Sequence, residues 1–246
     1  MNVKSMDTKI KNEKDAAETG APSEDAARDL IKELGLITTG TDFESDIQYI
    51  NIIGSVEGHG VLPADTKATK YEHLIPQLIA VEENPKLKGL LVVLNTVGGD
   101  VEAGLALAEM ISTLSKPTVS LVLGGGHSIG IPLAVAADHS FISKTATMTL
   151  HPIRTTGLVI TSETTFDYMR KTQDRVIDFI DDHSNADRSD IVRLMNTNDN
   201  MSNDVGTILF GKEAVDVGII DEVGGVSHAL RELRNRIAKY EEKSCE

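Results

Sequence analysis

LKGLLVVLNTVGGDVEAGLALAEMISTL, residues 87–114, reads as a strand, a glycine turn and a helix in succession. Its apolar run from Leu90 to Leu94 is unbroken, as a strand covered on both faces requires, and that is the situation of a strand in a parallel sheet. After Gly98 and Gly99 the apolar spacing changes to that of a helix. TVSLVLGGGHSIGIPLAVAADH, residues 118–139, repeats the order of buried strand, glycine turn and small-residue helix. Two such units in succession call for right-handed crossovers, with helices packed over a mainly parallel sheet. The class is α/β.

On the N-terminal side of these units, QYINIIGSV (residues 48–56) reads as a strand and Tyr71 to Glu83 as a helix despite Pro76. SFISK and TATMTL read as short strands. A long flanking helix is expected from about Ser162 to Ser184, with Met169, Val176, Ile177 and Ile180 on one face. The polar stretch NTNDNMSNDVG (196–206) leads to a strand-like TILFG, then KEAVDVGIIDEVGG (212–225). A closing helix carries Val226, Ala229, Leu230, Leu233 and Ile237. Residues 1–46 are polar and acidic, without a core, and are expected to form a mobile extension; residues 47–246 form the folded domain. Within the extension Ala27, Leu30, Ile31 and Leu34 follow helical spacing between a Ser23 cap and Gly35. That short amphipathic helix has two open destinations, its own assembly or a partner protein.

The chain has 246 residues with 40% hydrophobic content, enough for a substantial core, so a disordered or fibrous reading is excluded for most of its length. A formal charge of −14 repels phosphate backbones and anionic lipid, which argues against nucleic acid and membrane surfaces as partners. The single cysteine, Cys245, forms no internal disulfide, as suits a reducing compartment. The first residues lack the apolar core of a signal peptide, and no run suffices to span a bilayer. The expected location is cytoplasmic.

Gly126-His127-Ser128-Ile129-Gly130 puts a serine at a strand-to-helix turn, where its hydroxyl is exposed and amide groups point at the same space. A serine at a helix start is commonly a cap. Here, however, an oxyanion needs backbone donors, and two sources are at hand: the Ile129 amide and the Gly98-Gly99 turn. His151 follows an apolar strand and precedes Pro152, at a strand end where sheet proteins gather functional side chains. A neutral imidazole there takes the serine proton and returns it to the leaving group. His127 reads as structural, or as a shaper of the pocket.

NTVGGDVEAG, GGGHSIGIPLAVAA, MTLHPI and GKEAVDVGIIDEVGG resemble, in order, the signature blocks of the Clp protease proteolytic subunit, over roughly residues 47–238. The resemblance implies a ClpP/crotonase fold of repeated β-β-α units, a serine endopeptidase with a Ser-His-Asp triad, and homo-oligomeric rings around a chamber. It implies peptide or unfolded protein substrates and no cofactor or metal. The acidic N-terminus is closer to a branch linked to bacterial protein export than to the housekeeping subunit, and the resemblance implies a separate ATPase unfoldase or export machinery as partner. No P-loop occurs in this chain. Position by position, Ser128 matches the nucleophile, His151 the base, and Gly99 and Ile129 the oxyanion-hole residues. An ungapped match puts the acid on Gly206; Asp204 and Asp199 stand nearby, and Asp204 is the choice. The insert EGHGVLPADTKATKYEH (57–73) departs from the family pattern and is expected to cover or narrow the substrate channel.

Four other readings compete. An α/β-hydrolase esterase satisfies G-x-S-x-G but needs His183 or His228 as base. A lysine base, Lys171, requires desolvation. A crotonase shares the fold but works on acyl-CoA thioesters with carboxylates. A non-enzymatic peptide-binding scaffold keeps the groove and lacks a competent acid.

Overall fold

The computed structural model describes residues 45–154, 162–197 and 205–244. Residues 1–44 of the expected extension, including its short helix, lie outside them, as do Asp199, Asp204 and Cys245. Strand β1 (Ile47–Glu57) is followed by β2 (Ala68–Lys70) and helix α1 (Tyr71–Glu83). Strand β3 (Gly89–Gly99), α2 (Val101–Ser112), β4 (Thr118–Gly126) and α3 (Gly130–Val135) form the two expected units. Then come β5 (Ser140–Ile142), β6 (Thr147–Leu150), α4 (Ser162–Asp182), α5 (Arg188–Asn196), β7 (Thr207–Phe210), α6 (Gly211–Asp216), β8 (Glu222–Val223) and α7 (Val226–Ser244).

Among the described residues the main sheet runs β2-β1-β3-β4-β5-β8 with every pair parallel. β6 joins β4 through Gly125 and Thr147 and pairs antiparallel with β7. Leu90, Val92 and Leu94 of β3 point into a core shared with Leu78 of α1 and with Leu107 and Ile111 of α2, all buried. Leu91, Val119 and Leu121 point the other way, under Ala229, Leu233 and Ile237 of α7. Burial on both faces is why these strands lack polar alternation.

Several expectations are refined. α3 stops at Val135, short of the His139 to which the apolar pattern reached. On α4 burial begins at Thr172 and includes Val176, Ile177, Phe179 and Ile180, while Phe166 and Tyr168 are 65% and 62% exposed. Val226 opens α7 and stays half exposed rather than joining the helix's buried face. Helix α5, which sequence reasoning passed over, buries Ile191, Leu194 and Met195. The insert after β1 runs along that strand's edge: Ser55 N–H donates to the Lys67 carbonyl (2.9 Å), and buried Glu57 accepts from the Leu62 N–H (3.1 Å).

Candidate active site

Because β3 and β4 are parallel neighbours, their glycine turns emerge at the same sheet end, with Thr96 opposite Gly126. The side chains just before the first turn tie it down. Thr96 Oγ1 donates to the Gly54 carbonyl (2.6 Å) and accepts from the Gly98 N–H (3.0 Å). Asn95 Oδ1 accepts from the Gly125 N–H (2.9 Å), linking one turn to the other. Asp100 caps α2 by accepting from the Ala103 N–H (2.8 Å). Gly98 and Gly99 hold φ of 90° and 155°. A Cβ on Gly98 would lie 2.7 Å from the Ser128 Cβ, so only glycine lets this turn approach the serine so closely.

Ser128 has φ 57°, the one positive value at a non-glycine among the described residues. Such a conformation costs on the order of 1–3 kcal/mol and persists where surrounding bonds over-determine it. Those bonds are present. His127 N–H donates to Thr96 (3.2 Å), Ser128 N–H to Thr149 (2.9 Å), Gly130 N–H to His127 (2.9 Å) and Ile131 N–H to Ser128 (3.0 Å), all at carbonyl oxygens. The Ile129 N–H finds no acceptor among the described residues.

His151 leaves the end of β6 half-buried. Its Nδ1 lies 2.7 Å from the Pro152 carbonyl oxygen. A carbonyl only accepts, so Nδ1 carries the proton and Nε2 presents a lone pair, the tautomer a general base needs. His127 turns inward, with Nδ1 2.8 Å from Thr149 Oγ1. Burial, and then the charge of nearby His151, hold its pKa below the ordinary histidine value.

Ser128, His151, Gly99 and Ile129 all line one cavity of about 110 Å³. Its remaining wall is mostly apolar, with Ile131, Leu150, Val176, Ile180 and Met195, and Arg154 at the edge. The four predicted groups therefore come together. Asp204 and Asp199 lie outside the described residues. Gly206, where the ungapped match falls, is adjacent to the histidine: a Cβ there would sit 2.9 Å from the His151 Cβ. Lys171 is exposed on α4 and does not line the cavity. Nor do His183, which stacks on Phe179 at 4.0 Å, or His228, which faces the Gly225 N–H; the esterase reading thus loses its base. The insert contributes nothing to the cavity wall. Sequence reasoning missed Met195, whose signal was the spacing of Ile191, Leu194 and Met195 behind Asp187, and it missed the Pro152 carbonyl, which carries no side-chain signal.

Two glycine turns, a serine at positive φ and a histidine at the next strand end, on this parallel sheet, mark the class, and the chain belongs to the Clp protease family, whose model matches residues 45–227. It is 53% identical over 211 residues to the translocation-enhancing protein TepA of Halalkalibacterium halodurans, covering 86% of this chain and 82% of that one. It is 25% identical over 135 residues to the ATP-dependent Clp protease proteolytic subunit of Leuconostoc citreum, covering 52% and 66%. The corresponding subunit of Lactococcus lactis subsp. cremoris is 24% identical over 160 residues, covering 61% and 74%. No described helix is long and apolar enough to cross a membrane.

Proposed function

We propose that the chain is a serine peptidase in which Ser128 is the nucleophile and His151 the general base. Ser128 Oγ attacks the carbonyl carbon of an extended peptide while its proton passes to His151 Nε2. The Gly99 and Ile129 amides receive the negative charge on the substrate oxygen. His151 gives the proton to the leaving amine, the peptide C–N bond breaks, and an acyl ester remains on Ser128. Water, deprotonated by His151, then attacks the ester carbon, the bond to Ser128 Oγ breaks, and His151 returns the proton to Oγ as the acid leaves. The observation that carries this reading is the sharing of one cavity by these four groups, with the histidine in the tautomer that frees Nε2. The family resemblance offers Asp204 as a third member, but the atom such an acid would hold, His151 Nδ1, is already engaged by the Pro152 carbonyl oxygen.

The likeness to a translocation-enhancing protein supports substrates drawn from proteins on their way to export, and the names of the ATP-dependent relatives support a separate ATPase that delivers unfolded chain. Ring assembly of this chain, in the cytoplasm, completes the proposal. A scaffold that binds peptides without cutting them is the second reading, favoured by the glycine at the position where the family match calls for an acid. Intact mass after reaction with a fluorophosphonate separates the two. A single adduct that disappears in Ser128→Ala and weakens in His151→Ala supports the peptidase; a folded wild type that takes up no adduct overturns it in favour of the scaffold.

A further inference from the structure

We propose that the peptide group between Pro152 and Ile153, held from behind by Gln173, performs the orienting task that a triad carboxylate would otherwise perform on His151; this rests on the peptidase reading above. The two ends of that one peptide plane face different partners. Its carbonyl oxygen, on Pro152, accepts from His151 Nδ1 across 2.7 Å. Its N–H, on Ile153, donates to Gln173 Oε1 of α4 across 3.2 Å. Rotation of the plane would break both bonds, so Gln173 is a positioning residue that fixes the carbonyl's aim from the side away from the ring.

The sequence prepares this unit. Proline locks its own φ near −65° and confines the preceding residue, His151, to extended backbone. The acceptor is thus one residue from the ring it orients, on a segment with little freedom to lose. Gln173 lies on the turn of α4 immediately after Thr172, where that helix becomes buried, so the support itself is rigid.

The place a carboxylate would take by the ungapped family match is closed. Gly206 has φ 139°, and a Cβ on it would stand 2.3 Å from the Leu150 carbonyl oxygen and 2.9 Å from the His151 Cβ. Its N–H donates to the Thr197 carbonyl (2.8 Å), and the next residue, Thr207, pairs with Leu150 in the β6–β7 ladder, so the segment cannot retreat. A neutral carbonyl fixes the tautomer as a carboxylate does, while stabilising the imidazolium less.

The test uses the full-length protein and two readouts. One is the rate of fluorophosphonate addition to Ser128; the other is the His151 tautomer, from solid-state NMR of 15N-histidine-labelled protein, assigned by loss of the signal in His151→Ala. The wild type is expected to hold the proton on Nδ1. Gln173→Leu removes the acceptor and is expected to slow addition roughly five- to tenfold, the worth of one hydrogen bond, with part of the ring moving to the Nε2–H form. Gln173→Glu keeps an acceptor oxygen and is expected to stay within about threefold, with the tautomer unchanged. The double variant Asp199→Asn, Asp204→Asn is expected to react within about tenfold of wild type, whereas loss of a triad aspartate costs a serine protease on the order of 10⁴-fold. The proposal is overturned if Gln173→Leu leaves rate and tautomer unchanged, or if the double variant falls by that larger factor. A wild type that never adds the probe at Ser128 sinks the peptidase reading instead, and the tautomers of wild type and Gln173→Leu still decide whether the peptide group orients the ring.

Discussion

Ser128 donates its backbone N–H to the carbonyl of Thr149 across 2.9 Å, two residues before His151. The turn that carries Ser128 and the strand that leads to His151 are thereby tied together by a main-chain hydrogen bond. Thr149 also meets His127 Nδ1 through its hydroxyl at 2.8 Å, so the residue preceding the serine is bound to the same point.

His127 accordingly makes stability pH-dependent. Its folded pKa lies below the unfolded value of 6.5, chiefly through burial. Between the two values the unfolded chain binds more protons, so this contribution is fully present above about pH 6.5 and is lost as pH falls through the window. Denaturant midpoints measured at about pH 7.5 and 5.5 are expected to drop more for the wild type than for His127→Gln. Equal drops would mean that the ring's burial has no thermodynamic weight.

Gly99→Ala is expected to damage both fold and site. At φ 155° the added Cβ would come 2.2 Å from the Val56 carbonyl oxygen, a backbone atom that cannot swing aside. The cost is on the order of 1–3 kcal/mol in urea unfolding, and fluorophosphonate addition to the folded fraction is expected to fall as the amide is displaced. Unchanged addition in a destabilised protein would remove the Gly99 amide from the oxyanion site.

The residues of the turns were legible in the sequence because their requirements are local. An apolar run such as Leu90 to Leu94 tolerates one environment, and a serine between Gly126 and Gly130 after such a run has few places to be. His151 was legible for the same reason, as a polar residue ending an apolar strand. Gln173 was not: its partner, Ile153, is 20 residues away and offers only a main-chain N–H, which no side-chain pattern announces. Helix α5 was obscured by its length of 9 residues, with three buried positions to signal it. On α4 the apolar spacing marked Val176, Ile177 and Ile180, which are buried, but also Met169, which is not, because which half of the helix is covered depends on what packs against it.

Glu102 and Arg175 form a two-bonded pair at 2.6 and 3.0 Å that ties the first turn of α2 to α4. The hydrogen bond from Arg175 lowers the Glu102 pKa, so its contribution is present above the ordinary carboxylate value and disappears as pH falls through the lowered one. Both side chains are about half exposed, which limits the pair to roughly 0.2–1 kcal/mol. A double-mutant cycle of Glu102→Gln and Arg175→Gln is expected to return a coupling in that range, shrinking in high salt. A coupling of several kcal/mol would show that the bridge holds α4 in place by itself.

Ile180 is fully buried in α4 and forms part of the cavity wall beside Ser128, so its truncation separates stability from specificity. Ile180→Ala removes three methyl or methylene carbons from a packed core and is expected to cost about 2–5 kcal/mol in denaturant unfolding. The same change enlarges the cavity without touching Ser128, His151 or the two amides. Addition of a small alkyl fluorophosphonate to the folded protein is therefore expected to stay within about threefold of wild type, while peptide esters with larger apolar side chains at the acyl position gain relative to smaller ones, by the 10- to 200-fold at most that a methylene or two can supply. If instead the order of preference is unmoved, the apolar wall formed by Ile180 does not hold the substrate side chain, and the acyl group must lie elsewhere along the cleft.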